Sequence, residues 1–350
     1  MEPESTGPRV SLREIARRLD VSHVTVSLAI RNSPSVSDAT RAKIQKLAGE
    51  LGYRPDPILC ALADYRNRGS KCGIHSVVAW INAWEDPEAL RAHKEFDLYW
   101  KGASQCAAKH GHALEEFRVG KQMDLRSLHR VFQEQNIRGI LLPPHGPIQP
   151  DWRDFPWKDY SVARFGRSLK YPPAHLVTAN QLANTYLAVR SMRERGYRRI
   201  GLIAQAPGHD PRGPHFTAGF LSAREHFRDA GSMSIFHVLG PPGKEEVARF
   251  KKWLKKERPE ALLSIDDHRS LLQAAGLRVP GDVALAVTSV RDGGADSGMD
   301  QHPEEIGRVG FLLMNSLIRD GERGIPKIFR QVLVEGSWVD GTSLPDRRKG

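Results

Sequence analysis

Helix-spaced apolar positions fill the first fifth of the chain, and short apolar runs alternating with longer amphipathic stretches fill the remainder. Leu12, Ile15, Ala16 and Leu19 stand at i, i+3, i+4 and i+7, the spacing of one helix face. Ser11 is placed to cap that helix, and Arg13, Arg17 and Arg18 point off its apolar face. After Asp20-Val21, Ser22 can cap a second helix over 23–30 whose inward face is Val26, Ala29 and Ile30. Ser37 opens a third, with Ile44, Leu47, Ala48 and Leu51 as its inner stripe and Gly52 as the C-terminal residue of positive φ. From residue 74 onward the pattern changes: apolar runs at 76–81, 139–142, 200–204, 261–265 and 283–287 alternate with amphipathic stretches such as 96–110, 181–196 and 216–230. Strands alternating with helices over this length predict doubly wound α/β folding with parallel sheets, in two lobes rather than one.

Two short helices across a tight turn read as a helix-turn-helix, whose second helix normally enters the DNA major groove. Charge agrees with that reading. The 350-residue chain carries 52 Lys and Arg against 41 Asp and Glu, a formal +11, and residues 9–71 hold 12 basic and 6 acidic residues, over half of the excess. No apolar run approaches the roughly 20 residues that cross a bilayer, and the N-terminus lacks the pattern of a signal peptide, so a cytoplasmic protein without a membrane partner is expected. Three cysteines, Cys60, Cys72 and Cys106, fit a reducing compartment and exclude a disulfide framework.

The segment Arg54-Pro55-Asp56-Pro57 is punctuated for a new helix: Pro55 disfavours helix before it, Asp56 is a good cap and Pro57 suits the first helical position. About two turns long, that helix is too short to be stable alone. With it on the page, VSLREIARRLDVSHVTVSLAIRNSPSVSDATRAKIQKLAGELGYRPDPILCAL, residues 10–62, resembles the DNA-binding headpiece and hinge helix of the lactose/galactose-repressor (LacI/GalR) family of bacterial transcription regulators. RERGYRRIGLI at 193–203, GLRVPGDVA at 276–284 and PEEIG at 303–307 echo the same family in its order.

The resemblance implies an all-α headpiece with hinge helix, followed by a two-lobed periplasmic-binding-protein-like body that forms a homodimer and takes a small effector. The expected organisation is a disordered start (1–8), headpiece (9–55), hinge and linker (56–71), body (72–340) and frayed basic tail (341–350). Within the body, one lobe is expected over about 74–170 plus 288–302, the other over about 171–287 plus 303–340.

It also assigns residues. His23, Val24 and Leu28 form the base-reading face toward a double-stranded operator, Ser22, Thr25, Ser27 and Arg31 contact phosphates, and Ala61 and Leu62 lie on the hinge helix, where Leu62 matches the leucine that wedges into the minor groove. Family members commonly carry Arg where Leu28 stands; leucine cannot read guanine but can touch a thymine methyl. The alternative is that Val24 and Leu28 merely extend the headpiece core.

The body departs from the family pattern as well. The usual effector-contacting Arg aligns with Phe216, and the usual Asp falls on Ser289. The expected effector cleft gathers Trp80, Asn82, Trp84, Phe96, Asp97 and Tyr99 from one lobe and Phe216, Asp266 and Asp267 from the other, with Ser289 on a crossover segment. Aromatic faces with carboxylates and amides suit a neutral polyol, a sugar or sugar derivative, better than an anion.

Enzymatic alternatives leave no trace: the chain holds no G-x-x-x-x-G-K-[ST], G-x-S-x-G, G-x-G-x-x-G or H-E-x-x-H, so a sugar-modifying fusion finds no catalytic constellation and no cofactor or metal is expected. The histidines at 110, 112, 209 and 215 crowd without a recognised ligand spacing. A body that only dimerises is the remaining alternative, and a repressor is the expected kind of regulator. A wedge at Leu62 makes a direct prediction: Leu62→Ala should weaken binding to the specific operator while leaving binding to random DNA nearly intact. Equal losses on both in a titration would remove the wedge.

Overall fold

The structure, a computed structural model, describes residues 12–30, 36–51, 76–120, 123–146, 148–208, 210, 212–227 and 232–348, which fall into two compact units, Met1–His75 and Ser76–Gly350. The expected disordered start, Gly52 and the hinge and linker at 56–71 lie outside the described residues.

In the first unit, α1 (Leu12–Leu19), α2 (His23–Ile30) and α3 (Asp38–Glu50) enclose a core of Ile15, Ala16, Val26, Ala29, Val36, Ile44 and Ala48. α1 stops because Asp20 enters the left-handed region at φ 51°, which lets the Val21 N–H reach back to the Ala16 carbonyl at 3.1 Å and satisfy a helix-end acceptor. Ser22 then restarts the chain by accepting from the Thr25 N–H at 3.0 Å, and Ser37 does the same for α3 from the Thr40 N–H. Gln45 ties α3 to α2 by donating to the Ala29 carbonyl at 3.1 Å.

The second unit runs β1 (Ser76–Asn82), α4 (Pro87–Ala92), α5 (Lys94–Lys109), β2 (His112–Arg118), α6 (Leu125–Glu134), β3 (Gly139–Leu142), β4 (Ser161–Phe165), β5 (His175–Ala179), α7 (Gln181–Glu194), β6 (Ile200–Gln205), α8 (Gly213–His226) and β7 (Met233–Val238). It continues through α9 (Lys244–Glu257), β8 (Ala261–Ser264), α10 (Arg269–Ala274), β9 (Ala284–Val287), β10 (Gly298–Asp300), α11 (Pro303–Asp320), β11 (Gln331–Val334) and β12 (Ser337–Val339). Two six-stranded sheets result among the described residues: the first ordered β11-β5-β4-β3-β1-β2, all parallel, and the second β12-β10-β9-β8-β6-β7, parallel except for the β10–β12 edge pair. No helix among the described residues is long and apolar enough to cross a membrane.

Both faces of each sheet are covered, so the strands read as continuous apolar runs. In β1, Val78 and Trp80 enter the core under α5 and α11, while Ala79 and Ile81 enter the opposite core with Leu128 and Phe132 of α6. The second sheet divides likewise between α7 with α8 on one face and α9 with α10 on the other.

The lobes differ from the expected partition at three segments. Residues 175–179 form β5, and 303–334 supply α11 and β11, all of the first lobe; residues 298–300 form β10, which pairs with β9 and β12 in the second. The reason lies in complementary stripes: Ile306, Phe311 and Met314 of α11 match the apolar side of α5, with Gly310 against the Phe165 ring. The chain therefore crosses between lobes at Asn180, at 301–302 and at 335–336. The first and last of these crossings are fastened to each other, since the Asn180 N–H donates to the Val334 carbonyl at 2.9 Å, its amide to Glu335 at 2.7 Å, and the Gly336 N–H to the Asn184 side chain at 2.8 Å.

The tail also departs from expectation. Leu344 is buried in the second lobe, Asp296 accepts from the Thr342 and Ser343 N–H groups at 2.8 Å each, and the Tyr197 hydroxyl donates to the Pro345 carbonyl at 2.8 Å. That anchoring is tertiary and leaves no local signature.

α5 and α11 cross with their backbones in contact: a Cβ on Gly102 would overlap the Glu304 carbonyl, and one on Gly307 the Tyr99 carbonyl. Alanine in an unconstrained helix stabilises relative to glycine by about 1 kcal/mol. Gly307→Ala should instead destabilise the second unit by about 1–3 kcal/mol, because the two helices must separate. Urea unfolding would show the sign.

Candidate functional site

In the first unit the start of α2 lies open. Ser22, His23 and Val24 are exposed, Val24 to 52%, although a large apolar side chain is ordinarily covered. Val26 and Ala29 face the core, as the helical spacing requires. Thr25, Ser27 and Leu28 are half-buried, and Leu28 packs against the helical core. The core-extending alternative thus applies to Leu28 in part and not to Val24. Arg31, Ala61 and Leu62 lie outside the described residues.

In the second unit, sheet topology places the site. In the first sheet the order reverses at β1, which has β2 on one side and β3 on the other; in the second it reverses at β6, between β7 and β8. Such switch points open a crevice beyond the carboxyl ends of the strands. Residues from just past those ends, Trp84 after β1, His145 after β3, Asp210 and Arg212 after β6 and Asp266 after β8, line one cleft of about 1010 Å³ between the lobes.

One wall is aromatic. Trp84, His93, Phe96 and Tyr99 form a row with successive ring centroids 5.5, 4.9 and 5.8 Å apart. Asn82 sets its geometry from below: fully buried, it donates to the Pro87 carbonyl and to Glu116 and accepts the Trp84 N–H at 3.1 Å. The Trp84 indole N–H is held by the Pro144 carbonyl at 2.8 Å.

The opposite wall is ionic. Arg212, at the start of α8, donates to Asp210 at 3.0 Å and to Asp266 at 2.8 Å. Burial opposes its charge, but the two carboxylates outweigh burial and raise the guanidinium pKa. Asp267 is paired with Arg269.

Glu95 sits between the lobes. Asp292, in the loop after β9, accepts the Lys94 and Glu95 N–H groups at 3.0 Å each and so caps α5 from the other lobe, where His93 provides no side-chain cap. The Glu95 carboxyl is bonded by Ser289, yet its Oε1 is shielded from solvent without a hydrogen-bond partner. Burial foremost, with Asp292 and Asp300 adding to it against Ser289 and Arg212, pushes its pKa up to about 7. His145 also lines the cleft: its Nδ1 bonds the Pro143 carbonyl at 2.7 Å, and burial lowers its pKa to about 4, so it is neutral at pH 7.

Of the expected effector residues, the cleft brings together Trp84, Phe96, Tyr99, Phe216, Asp266 and Asp267. Trp80, Asn82 and Ser289 do not line it. Trp80 lies inside β1, its ring 5.5 Å from Trp100 and 5.4 Å from Phe165 in the core. Asn82 and Ser289 act behind Trp84 and Glu95, and Ser289 follows β9 within the second lobe rather than on a crossing. Asp97 pairs with Arg91 and does not line the cleft. Sequence reasoning missed Arg212, which stands four residues before Phe216, one helical turn away. The run Asp210-Pro211-Arg212-Gly213-Pro214 carried the signal, an acid–base pair before a proline at a helix start. His110 and His112 pack their rings against Phe311, and no group of His, Cys, Asp and Glu able to hold a metal occurs among the described residues.

Comparison with known proteins agrees with both units. The model of bacterial regulatory proteins of the lacI family matches residues 11–56, and the periplasmic binding protein-like domain matches 189–344. The HTH-type transcriptional regulator MalR of Streptococcus pneumoniae is 22% identical over 338 residues, 93% of this chain and 97% of MalR. The HTH-type transcriptional repressor PurR of Serratia proteamaculans is 25% identical over 365 residues, covering 97% and 99% of the two chains. Among solved structures, the transcriptional regulator CelR–cellobiose complex shares the fold with a TM-score of 0.56 at 22% identity, over 96% of this chain and 100% of CelR. A three-helix headpiece of lacI type followed by a two-sheet periplasmic-binding-protein-like body places the chain in one group: it belongs to the LacI/GalR family of bacterial DNA-binding transcription regulators.

Proposed function

We infer that this regulator is a repressor that binds a pseudo-palindromic operator as a homodimer and is controlled by a carbohydrate held in the interlobe cleft. The observation that carries the reading is the cleft itself: about 1010 Å³ at two facing switch points, with an aromatic wall on one side and hydrogen-bonding carboxylates and amides on the other. Aromatic faces stack on the apolar side of a sugar ring while polar groups orient its hydroxyls. The solved CelR relative is a complex with cellobiose, which supports a sugar-sized occupant here, and PurR is named a repressor.

On the DNA side, Ser22, His23 and Val24 form the part of α2 free to enter the major groove, with Val24 suited to a thymine methyl. Thr25, Ser27 and Arg31 are assigned to phosphates, Leu28 lends only its exposed edge to base reading, and Ala61 and Leu62 are assigned to the minor groove. Effector binding draws on contacts from both lobes and so shifts the population toward one lobe arrangement. The capping of α5 by Asp292 of the other lobe is one contact whose strength depends on that arrangement.

The double variant Trp84→Ala with Asp266→Ala should lose effector response while operator binding persists, checked by gel shift with and without the inducing sugar; a normal response would move the pocket elsewhere. A body that only dimerises would show no ligand-dependent rise in melting temperature.

Glu95 yields a pH prediction. Its folded-state pKa is raised, so folding favours the protonated acid: the protein is more stable below the ordinary carboxylate pKa, loses stability as pH climbs toward about 7, and stays at the lower level above it. Glu95→Gln, neutral and nearly isosteric, should raise the melting temperature at pH 8 and change it little at pH 5, with a difference of order 1–3 kcal/mol. An equal effect at both pH values would show that burial does not hold the proton.

A further inference from the structure

The charges in the cleft are unevenly matched. On the second-lobe wall each carboxylate has a cation: Asp210 and Asp266 share Arg212, and Asp267 holds Arg269. On the first-lobe wall stand Arg167 and Lys170, both in the loop after β4 and both lining the cleft. Among the described residues neither contacts a carboxylate. Arg167 donates only to neutral amide oxygens, Gln331 at 3.0 Å and Gln181 at 3.4 Å, and Lys170 has an exposed side chain.

The loop that presents them is built rather than loose. The Ser168 hydroxyl accepts the His145 N–H at 2.8 Å, and Gln149 donates to the Ser168 carbonyl at 2.8 Å and accepts the Lys170 N–H at 3.2 Å. Nearby groups register the uncompensated charge. Burial first and Arg167 second lower the pKa of Arg164, and the same two causes in the same order lower that of His215. Burial also lowers the pKa of Arg167 itself. A guanidinium taken partly out of water without an acid beside it carries a desolvation cost that a bound anion offsets.

We propose that the effector is an anionic sugar, whose carboxylate or phosphate sits between Arg167 and Lys170 while its ring lies along the Trp84–Phe96 wall and its hydroxyls meet Asp266 and Arg212. The proposal rests on the carbohydrate reading above and narrows it. It reverses the sequence-based preference for a neutral polyol, which followed from the expected mix of aromatic faces with carboxylates and amides. Among the described residues one lysine and two arginines line the cleft, and of these Arg167 and Lys170 lack an acidic partner there.

Isothermal titration of the full chain with D-glucuronate, D-gluconate, D-glucose 6-phosphate and D-glucose tests it. At least one anionic sugar should bind and D-glucose should not compete with it; the carboxylate and phosphate arms tell the two headgroups apart. Arg167→Gln should weaken the anionic sugar by about tenfold or more, in line with a hydrogen bond to a charged group, and Lys170→Gln should weaken it to a smaller degree. The Lys170 side chain makes no hydrogen bond or ion pair among the described residues, so its variant remains informative if Arg167→Gln disturbs the lobe crossings. Binding of D-glucose alone, or anion binding unchanged in both variants, overturns the proposal and leaves the carbohydrate reading in place. Binding of none of these sugars, together with Arg167-dependent binding of a non-sugar anion such as citrate, keeps the anion site and removes the carbohydrate. Silence toward all of these probes overturns both.

Discussion

The side chains that reach the interlobe cleft stand at or beyond the carboxyl ends of the parallel strands. Within a strand, successive residues alternate between two helical layers, and both layers are closed by apolar helices, so a strand meets the cleft with no more than its last residues, as at Thr178 of β5, Gln205 of β6 and Val238 of β7. Trp80 and Trp84 show the consequence four residues apart: the first is locked among Trp100 and Phe165, and the second stands at the cleft. β8 repeats it, with Ser264 buried at the strand end and Asp266 and Asp267 beyond it on the wall.

Because each sheet reverses its order once, each opens one crevice, and the three crossings bring the two crevices to one cleft. The lobes are then coupled through few contacts at its rim. Asp292 of one lobe caps the first turn of α5 in the other, and Glu95, on that same turn, is bonded by Ser289 across the divide. A helix start has four N–H groups without internal partners, so supplying an acceptor from the opposite lobe makes the stability of α5 sensitive to lobe position. α5 in turn carries Phe96 and Tyr99 to the aromatic wall and meets α11 backbone to backbone at Gly102 and Gly307. Ligand, lobe position and helix packing share one element.

The headpiece and the body differ in how openly the sequence displays them. Three short helices held by contacts between near neighbours leave their caps and stripes in order along the chain: Ser22 and Ser37 cap as the spacing indicates, and Ile15, Val26, Ala29 and Ile44 are fully buried. In the body, the apolar runs at 139–142 and 200–204 coincide with strands to within a residue, since a strand covered on both faces must be apolar throughout. The edge strand β2 buries only Leu114 and Phe117 among half-buried and exposed neighbours and carries a fainter signal.

What the sequence determined by itself was therefore local: where helices start and stop, which runs are strands, that basic charge gathers between residues 9 and 71, and, through the resemblance, the family. Which lobe each segment joins was decided by tertiary structure, because α11 and β11 belong with α5 and β5 through contacts made some 200 and 150 residues apart in sequence. The polarity of the cleft was decided there too. Arg212 is neutralised by Asp266 from 54 residues away, whereas Arg167 meets only amides, one of them 164 residues distant, and no local pattern records whether a charge finds its partner. Burial and pairing are properties of the assembled chain, and they fix which charges remain available to a ligand.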